Sequence, residues 1–115
     1  MLQRLHRNNL SLNVPISATE TGLQLGRLSD LSLGGFCLVG TGLPPDESIA
    51  AVDVRLPWPM QGVSRIRLDV EQRWCKRTTG GRWHAGFRIT SCPDDELSAL
   101  DHLSASFSIH SRSQA

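Results

Sequence analysis

The sequence contains no tyrosine, a single lysine and only three cysteines, and it has no long run of apolar residues. Cys37, Cys75 and Cys92 are odd in number and far apart, which is typical of reduced thiols rather than of a disulfide framework. No apolar run approaches the roughly 20 residues that a membrane-spanning helix needs, and no signal-peptide core follows the first charges. We therefore expect a cytoplasmic protein without membrane insertion.

The charges almost cancel, since 12 basic and 11 acidic residues give a net charge of +1. This balance gives no global argument for a nucleic-acid polymer, an anionic membrane or a polyacidic partner. The four histidines, His6, His84, His102 and His110, have no metal-ligand spacing among themselves or with the cysteines. The sequence also lacks a nucleophile elbow and a P-loop. We expect a protein that is not an enzyme and holds no cofactor or metal.

Alternation of apolar and polar residues dominates the chain, and this period of two is typical of half-buried strands. With 115 residues, of which 39% are apolar, the chain has room for one domain. The alternation predicts six strands, which lie around Leu10 to Ile16, from Leu23 toward Asp30, Phe36 to Val39, Val52 to Trp58, Ile66 to Trp74, and Trp83 to Ile89.

The period changes only once, after Pro93. Acidic residues at 94–96 suit a helix start, and Leu97, Leu100, Leu103 and Phe107 recur at helical spacing. Six antiparallel strands with one terminal helix predict a mainly all-β fold, a small closed barrel with a C-terminal α-helix. The predicted boundaries are an arm at 1–9, the barrel at 10–92, the helix at 93–107 and a polar tail at 108–115.

The tryptophans admit two interpretations. Trp58, Trp74 and Trp83 could stack single-stranded RNA on a small barrel. Their positions within the strands match the apolar face, however, which favours packing in the core. The polar face of the fifth strand carries charges of both signs, and we expect these to form cross-strand ion pairs.

The segment Asp30-Leu31-Ser32-Leu33-Gly34-Gly35 joins the second and third strands. An ionised Asp30 offers two acceptor oxygens that suit the paired N–H donors of a guanine edge, and Ser32 can donate or accept beside it. Gly34 and Gly35 allow positive φ and the close approach of a ring or phosphate. The alternative is a local Asx or Ser turn with a bulge.

Arg4 and Arg7 are the only charged residues among the first nineteen. A solvated basic tail is one interpretation of this segment. The other is an arm that folds over an anionic ligand, because guanidinium groups bind phosphate and stack on bases.

The order of these features resembles the PilZ domain family, the bacterial receptor module for cyclic di-GMP. PilZ domains that bind this nucleotide carry an Arg-x-x-x-Arg element before the first strand and an Asp/Asn-x-Ser-x-x-Gly element later. Asp30, Ser32 and Gly35 match the second element in full. Trp74 and the segment Gly86-Phe87-Arg88 resemble an aromatic residue and a hairpin partner that the family tends to show later in the chain.

The first element departs from the family pattern, because Gln3 stands four residues before Arg7 and Arg4 is displaced by one position. Glutamine can bond a base edge without supplying charge, so Arg4 would have to take the role of the missing arginine. The resemblance implies a cyclic di-GMP receptor or adaptor that acts through a downstream protein. The alternative is an interaction protein of pilus or motility machinery with the same fold and no nucleotide. The residues implied in ligand binding are Gln3, Arg4, Arg7, Asp30, Ser32, Gly34 and Gly35.

Overall fold

The computed structural model describes residues 13–113. The strands are β1 Pro15–Ala18, β2 Gln24–Leu31, β3 Gly35–Thr41, β4 Ala51–Met60, β5 Val63–Arg77 and β6 Arg82–Ser91, and the helix is α1 Leu97–Ser113. Short 3₁₀ turns at Thr79–Gly81 and Asp94–Glu96 precede β6 and α1. The predicted arm, with Gln3, Arg4 and Arg7, lies outside the described residues, as do Leu10 and Leu12 of the predicted first strand.

The strands form a closed barrel in the order β1-β2-β3-β6-β5-β4, and β1 closes it by pairing with β4. Every neighbouring pair is antiparallel. Within residues 13–113, each strand therefore pairs with a neighbour on both sides, the arrangement by which a barrel protects its strand edges. The prediction of a six-stranded antiparallel barrel with one C-terminal helix is confirmed.

Alternate residues of the strands fill the barrel with apolar side chains. Ile16, Leu38 and Ile66 are fully buried. Phe36 and Phe87 stack with their ring centroids 5.2 Å apart and an interplanar angle of 16°. Offset stacking of this kind adds to the stabilisation that burial of the two rings provides.

Trp83 is the largest fully buried side chain, and two glycines make room for it. Gly40 pairs directly with Trp83, and a methyl group at position 40 would collide with the indole. A methyl group at Gly26 would lie 2.9 Å from the Trp83 Cη2 atom. We call Gly26, Gly40 and Trp83 the inner tryptophan row.

Helix α1 packs on the barrel through Ala99, Leu100, Leu103 and Phe107, all buried, whereas Leu97 is exposed. Ser104 Oγ donates a hydrogen bond to the carbonyl of Leu31, the last residue of β2, over 3.4 Å. The helix continues to Ser113, six residues beyond the predicted end. Residues 108–113 include no glycine or proline, so nothing in the local sequence terminates the helix at Phe107.

The prediction that Trp58 packs in the core is wrong, because this side chain is 47% exposed. The pairing of β4 with β5 is irregular between Arg55 and Met60. Pro57 and Pro59 lie in this stretch and supply no N–H donor to the ladder. The alternation therefore does not continue to Trp58, and Met60 is buried instead.

Cross-strand ion pairing on the polar face of β5 is limited to one residue of the strand. Glu71 accepts a 3.3 Å contact from Arg88 of β6, and a second 3.3 Å contact from Arg73 of its own strand. Arg65 lies directly opposite Arg55, which places like charges together. Among residues 13–107, no other charged pair on this face forms a salt bridge.

Candidate functional site

A β-bulge in β2 sets the direction of Asp30. Leu28 pairs with Leu38 and Asp30 pairs with Cys37, so Ser29 is an extra residue on this strand. An extra residue reverses the alternation of side chains along the strand. Leu28 consequently faces the core while Asp30 is exposed on the outer face.

A second bulge in β5 acts in the same way on Trp74. Gln72 pairs with Phe87 and Trp74 pairs with Gly86, which leaves Arg73 as the extra residue. Trp74 is therefore turned to the outer face and is 47% exposed. The prediction that Trp74 packs in the core is wrong, because the alternation of inward and outward side chains along β5 reverses at Arg73.

The two bulges bring Asp30 and Trp74 onto one row that crosses four strands. Asp30 pairs with Cys37, Cys37 with Gly86, and Gly86 with Trp74. The ends of this row are about 14 Å apart, since three strand spacings separate them. The Trp74 indole lies on Gly86, where a methyl group would collide with it. We call the cleft along this row the outer trough.

The outer trough has a volume of about 260 Å³. Its floor is formed by small residues, Gly86 and Cys37, and its two ends carry the Asp30 carboxylate and the Trp74 ring. Arg73 also lines the trough, although the sequence pattern did not predict it as a site residue. The residues that line the trough are Asp30, Ser32, Gly35, Phe36, Cys37, Arg73, Trp74, Gly86 and Phe87.

Asp30 keeps much of its capacity to accept hydrogen bonds. Its Oδ1 atom accepts the backbone N–H of Leu31 over 2.9 Å. Within the described residues Oδ2 has no hydrogen-bond donor, and the residue is exposed at the rim of the trough. An ionised carboxylate with one free oxygen can receive a further N–H donor from a ligand.

Ser32 and Gly35 form the turn that the alternative interpretation described. The Ser32 N–H donates to the Gly35 carbonyl over 2.9 Å, and Ser32 Oγ contacts the same oxygen at 3.3 Å. This turn places Ser32 beside Asp30 on the rim of the trough. Local turn formation and ligand binding are therefore compatible here, because the turn leaves the Asp30 carboxylate accessible.

Gly34 and Gly35 allow positive φ, but neither residue adopts it. Gly35 is needed for a different reason: a methyl group there would collide with the Phe87 carbonyl of the paired strand. Gly34 has no neighbouring atom within 4 Å of such a group, so its position leaves space above the turn. Gly35 therefore allows β3 and β6 to approach each other closely.

Arg73 supplies a cation at the edge of the outer trough. Its Nη1 atom lies 3.3 Å from Glu71 Oε1, and the Nε atom of Arg88 lies 3.3 Å from the same oxygen. Both pairs are more than half exposed, and such surface pairs contribute little to stability. The guanidinium of Arg73 can therefore exchange Glu71 for an anionic ligand at small cost.

Within residues 13–113, no group of three His, Cys, Asp or Glu side chains could hold a metal ion. In the same part of the chain, no helix has the length and apolar character needed to cross a membrane.

No family model and no curated protein matches the sequence. Two similar solved structures are the Bacillus subtilis inhibitor of motility, MotI/DgrA, and Borreliella burgdorferi PlzA in complex with c-di-GMP. MotI/DgrA is 15% identical with a TM-score of 0.57, and the match covers 85% of this chain and 46% of that one. PlzA is 9% identical with a TM-score of 0.53, and the match covers 90% of this chain and 55% of that one.

The chain thus spans about half the length of each of these two proteins. At such low identity the likeness concerns the fold, in which strand order, barrel closure and the C-terminal helix agree with the expected architecture. The chain has the PilZ-type fold that the sequence resemblance predicted.

Proposed function

We propose that the protein is a non-catalytic receptor or adaptor for cyclic di-GMP, which relays the level of this nucleotide to a partner protein. The observation that carries the proposal is the outer trough. The Asp30 carboxylate, with Ser32 beside it, lies at one end of the cross-strand row, and the Trp74 ring lies at the other. Asp30 and Ser32 have the hydrogen-bonding groups to read a guanine edge. Trp74 offers a ring on which a base can stack, a contact worth about 1–3 kcal/mol.

The size of the outer trough suits part of the ligand. Ligand pockets usually measure about 300–1,000 Å³, whereas the trough measures about 260 Å³. One guanine and its neighbouring phosphate fit a cleft of this size better than the whole dinucleotide. The proposal therefore assigns a further part of the ligand to another segment of the chain.

The predicted arm is that segment, and the pairing of β1 supports the assignment. The Leu28 N–H donates to the Val14 carbonyl over 2.9 Å, and Pro15 pairs with Arg27. The start of β1 therefore lies beside the end of β2 that carries Asp30. The six residue-to-residue steps from Asn13 back to Arg7 can span about 20 Å when extended, which is enough for Arg7 to reach the trough. Arg4 and Arg7 would then clamp phosphate and base, with Gln3 beside them.

The comparisons support the nucleotide as ligand, because the similar PlzA structure is a complex with c-di-GMP. Gln3 favours a second candidate function, since an arginine is missing from the first family element. In that case the protein would act on pilus or motility machinery without a nucleotide. We place the protein in the cytoplasm, which suits the three free cysteines.

Isothermal titration with cyclic di-GMP tests the proposal. We expect Asp30→Ala to weaken binding by roughly ten- to 150-fold, since a lost hydrogen bond to a charged group costs about 1.5–3 kcal/mol. The matched control is Asp101→Ala, which removes an exposed carboxylate from α1 and should leave the affinity unchanged. Cyclic di-AMP should not bind, because adenine lacks the paired N–H donors of guanine.

The arm has its own test in Gln3→Arg, which restores the family element and should tighten binding about tenfold by adding one charge-assisted bond. An unchanged affinity would show that the register assigned to the arm is wrong. If the folded wild-type protein gave no heat at high micromolar cyclic di-GMP, or bound cyclic di-AMP equally well, the receptor proposal would be rejected in favour of the nucleotide-free interaction protein.

A further inference from the structure

Two clefts lie side by side near the start of β2 and the end of β3. The basic cleft has a volume of about 630 Å³ and includes Arg27, Arg82 and His84 in its lining. The apolar cleft has a volume of about 820 Å³ and includes Leu23 and Leu43. Gln24 and Leu25 line both clefts, so the two form one continuous surface.

The basic cleft gathers basic side chains from neighbouring strands onto the outer face of the barrel. Arg27 pairs with Val39 and Val39 pairs with His84, so Arg27 and His84 are two strand spacings, about 10 Å, apart. Two residues further along β3 and β6, and so on the same face, Thr41 pairs with Arg82. These side chains share a face because directly paired residues point the same way.

The two arginines of the basic cleft have no acidic partner among the described side chains. Among residues 13–107, neither Arg27 nor Arg82 forms a salt bridge, although both are exposed. Arg73 and Arg88 differ, because both contact Glu71. None of the described residues that line the basic cleft carries a carboxylate. The cleft therefore carries uncompensated positive charge in a protein whose net charge is only +1.

The apolar cleft exposes two large side chains beside this charge. Leu23 is 67% exposed in the turn before β2, and Leu43 is 86% exposed after β3. Pro44 and Pro45 continue the apolar lining. Large apolar side chains that are grouped and exposed mark interaction surfaces.

We propose that the basic and apolar clefts together form a docking surface for a segment of a partner protein that carries carboxylates on one side and aliphatic side chains on the other. The carboxylates contact Arg27 and Arg82, and the aliphatic side chains pack between Leu23 and Leu43. Charge complementarity favours carboxylates on the side of the partner that faces the basic cleft, because they supply the negative charge that this cleft lacks.

A nucleic acid fits this surface less well. The basic cleft offers two arginines and a histidine, whereas strong binding of a nucleic-acid backbone uses about 6–10 phosphate contacts. Glu20 and Asp46 line the apolar cleft together with Arg67, so the partner's carboxylates are assigned to the basic cleft alone. The docking surface is also separate from the outer trough, whose row contains Cys37 and Gly86, so the inference holds whether or not the trough binds a nucleotide.

The test is an NMR titration of the full chain, without nucleotide, using a synthetic peptide that alternates Glu and Leu. We expect chemical-shift changes confined to the two clefts, and binding at least about tenfold weaker for the double variant Arg27→Glu/Arg82→Glu. Leu23→Ser/Leu43→Ser should also weaken binding. The control Arg55→Glu/Arg65→Glu makes the same charge change on exposed residues of β4 and β5 and should bind as the wild type does.

Two further probes test whether binding depends on the carboxylates of the peptide and whether a nucleic acid binds the same surface. A Lys-Leu peptide of the same length should not bind, and a single-stranded oligonucleotide should bind more weakly than the Glu-Leu peptide. The proposal is overturned if the wild type shows no shifts at about 1 mM Glu-Leu peptide, the weak end of specific recognition. Equal binding of the Lys-Leu peptide, or tighter binding of the oligonucleotide through the same residues, would overturn it as well.

Discussion

Two tryptophans of this barrel lie against glycines, one inside and one outside. Trp83 fills the barrel interior over Gly26 and Gly40, whereas Trp74 lies on Gly86 at the surface and is 47% exposed. In each case the glycine removes a side chain that would collide with the indole. The difference comes from a single extra residue, Arg73, which reverses the alternation of β5 just before Trp74. One bulge therefore converts a position with core parity into part of a candidate binding surface.

The largest difference between the two tryptophans should appear in stability. We expect Trp83→Ala to lower the free energy of unfolding by about 3–5 kcal/mol, the usual cost of removing a large buried aromatic side chain. Trp74→Ala should cost less than about 1 kcal/mol, because the side chain is half exposed. Urea denaturation followed by circular dichroism measures both. Equal losses for the two variants would show that Trp74 belongs to the core.

The glycines beneath the rings extend the comparison. Gly40→Ala should cost about 1–3 kcal/mol, since the added methyl group overpacks against the fully buried Trp83. Gly86→Ala presents the same collision to a half-exposed ring that can swing into solvent, so its cost should be smaller. Urea denaturation of the two variants, each against the wild type, gives the difference. A larger loss for Gly86→Ala would contradict the mobility we assign to Trp74.

Most of the fold could be predicted from the sequence because its signals are local. Strand alternation, the glycines of the turns and the acidic helix start all act within a few residues. Glycines in the turns, such as Gly22 and Gly80, do adopt positive φ. Closure into a barrel followed from the number of strands and the need to protect their edges.

The candidate site was predicted only in part, because bulges depend on pairing with a distant strand. Asp30 and Ser32 were placed on a ligand-binding corner, and the structure puts both at the outer trough. The outward turn of Trp74 was missed, and Arg73 with it. One signal was present: Gln72 stands at a core position in the alternation, and its amide oxygen is buried without a donor among the described residues. A polar residue at such a position marks a break in the pattern.

Replacing Trp74 should lower the affinity for cyclic di-GMP, whereas replacing the equally exposed Trp58 should not. If a guanine stacks on Trp74, then Trp74→Ala should weaken cyclic di-GMP binding by about 1–3 kcal/mol, while Trp74→Phe should retain most of the affinity. Trp58 is the matched control because it is also 47% exposed but does not line the outer trough. Titration calorimetry of the three variants tests the assignment. A loss in Trp58→Ala as large as in Trp74→Ala would place the nucleotide elsewhere.

The three cysteines allow a test that changes no residue. Cys37 lies on the floor of the outer trough, Cys75 is exposed, and Cys92 is half-buried before α1. Burial raises the pKa of the Cys92 thiol, and the carboxylates of Glu96, Asp94 and Asp95 raise it further. Because the thiolate is the reactive form, alkylation of Cys92 should be slow near pH 8 and accelerate as the pH rises through its elevated pKa.

Cyclic di-GMP should slow the alkylation of Cys37 without affecting the other two thiols. At a ligand concentration ten times the dissociation constant, the unbound fraction predicts about tenfold protection if the nucleotide covers the floor of the trough. Cys75 serves as the internal reference for reagent concentration, and Cys92 reports any change near the start of α1. Iodoacetamide labelling followed by peptide mass spectrometry gives the three rates in one sample. Protection of Cys92 in place of Cys37 would move the ligand, or the structural change that it causes, from the outer trough to the junction between β6 and the helix.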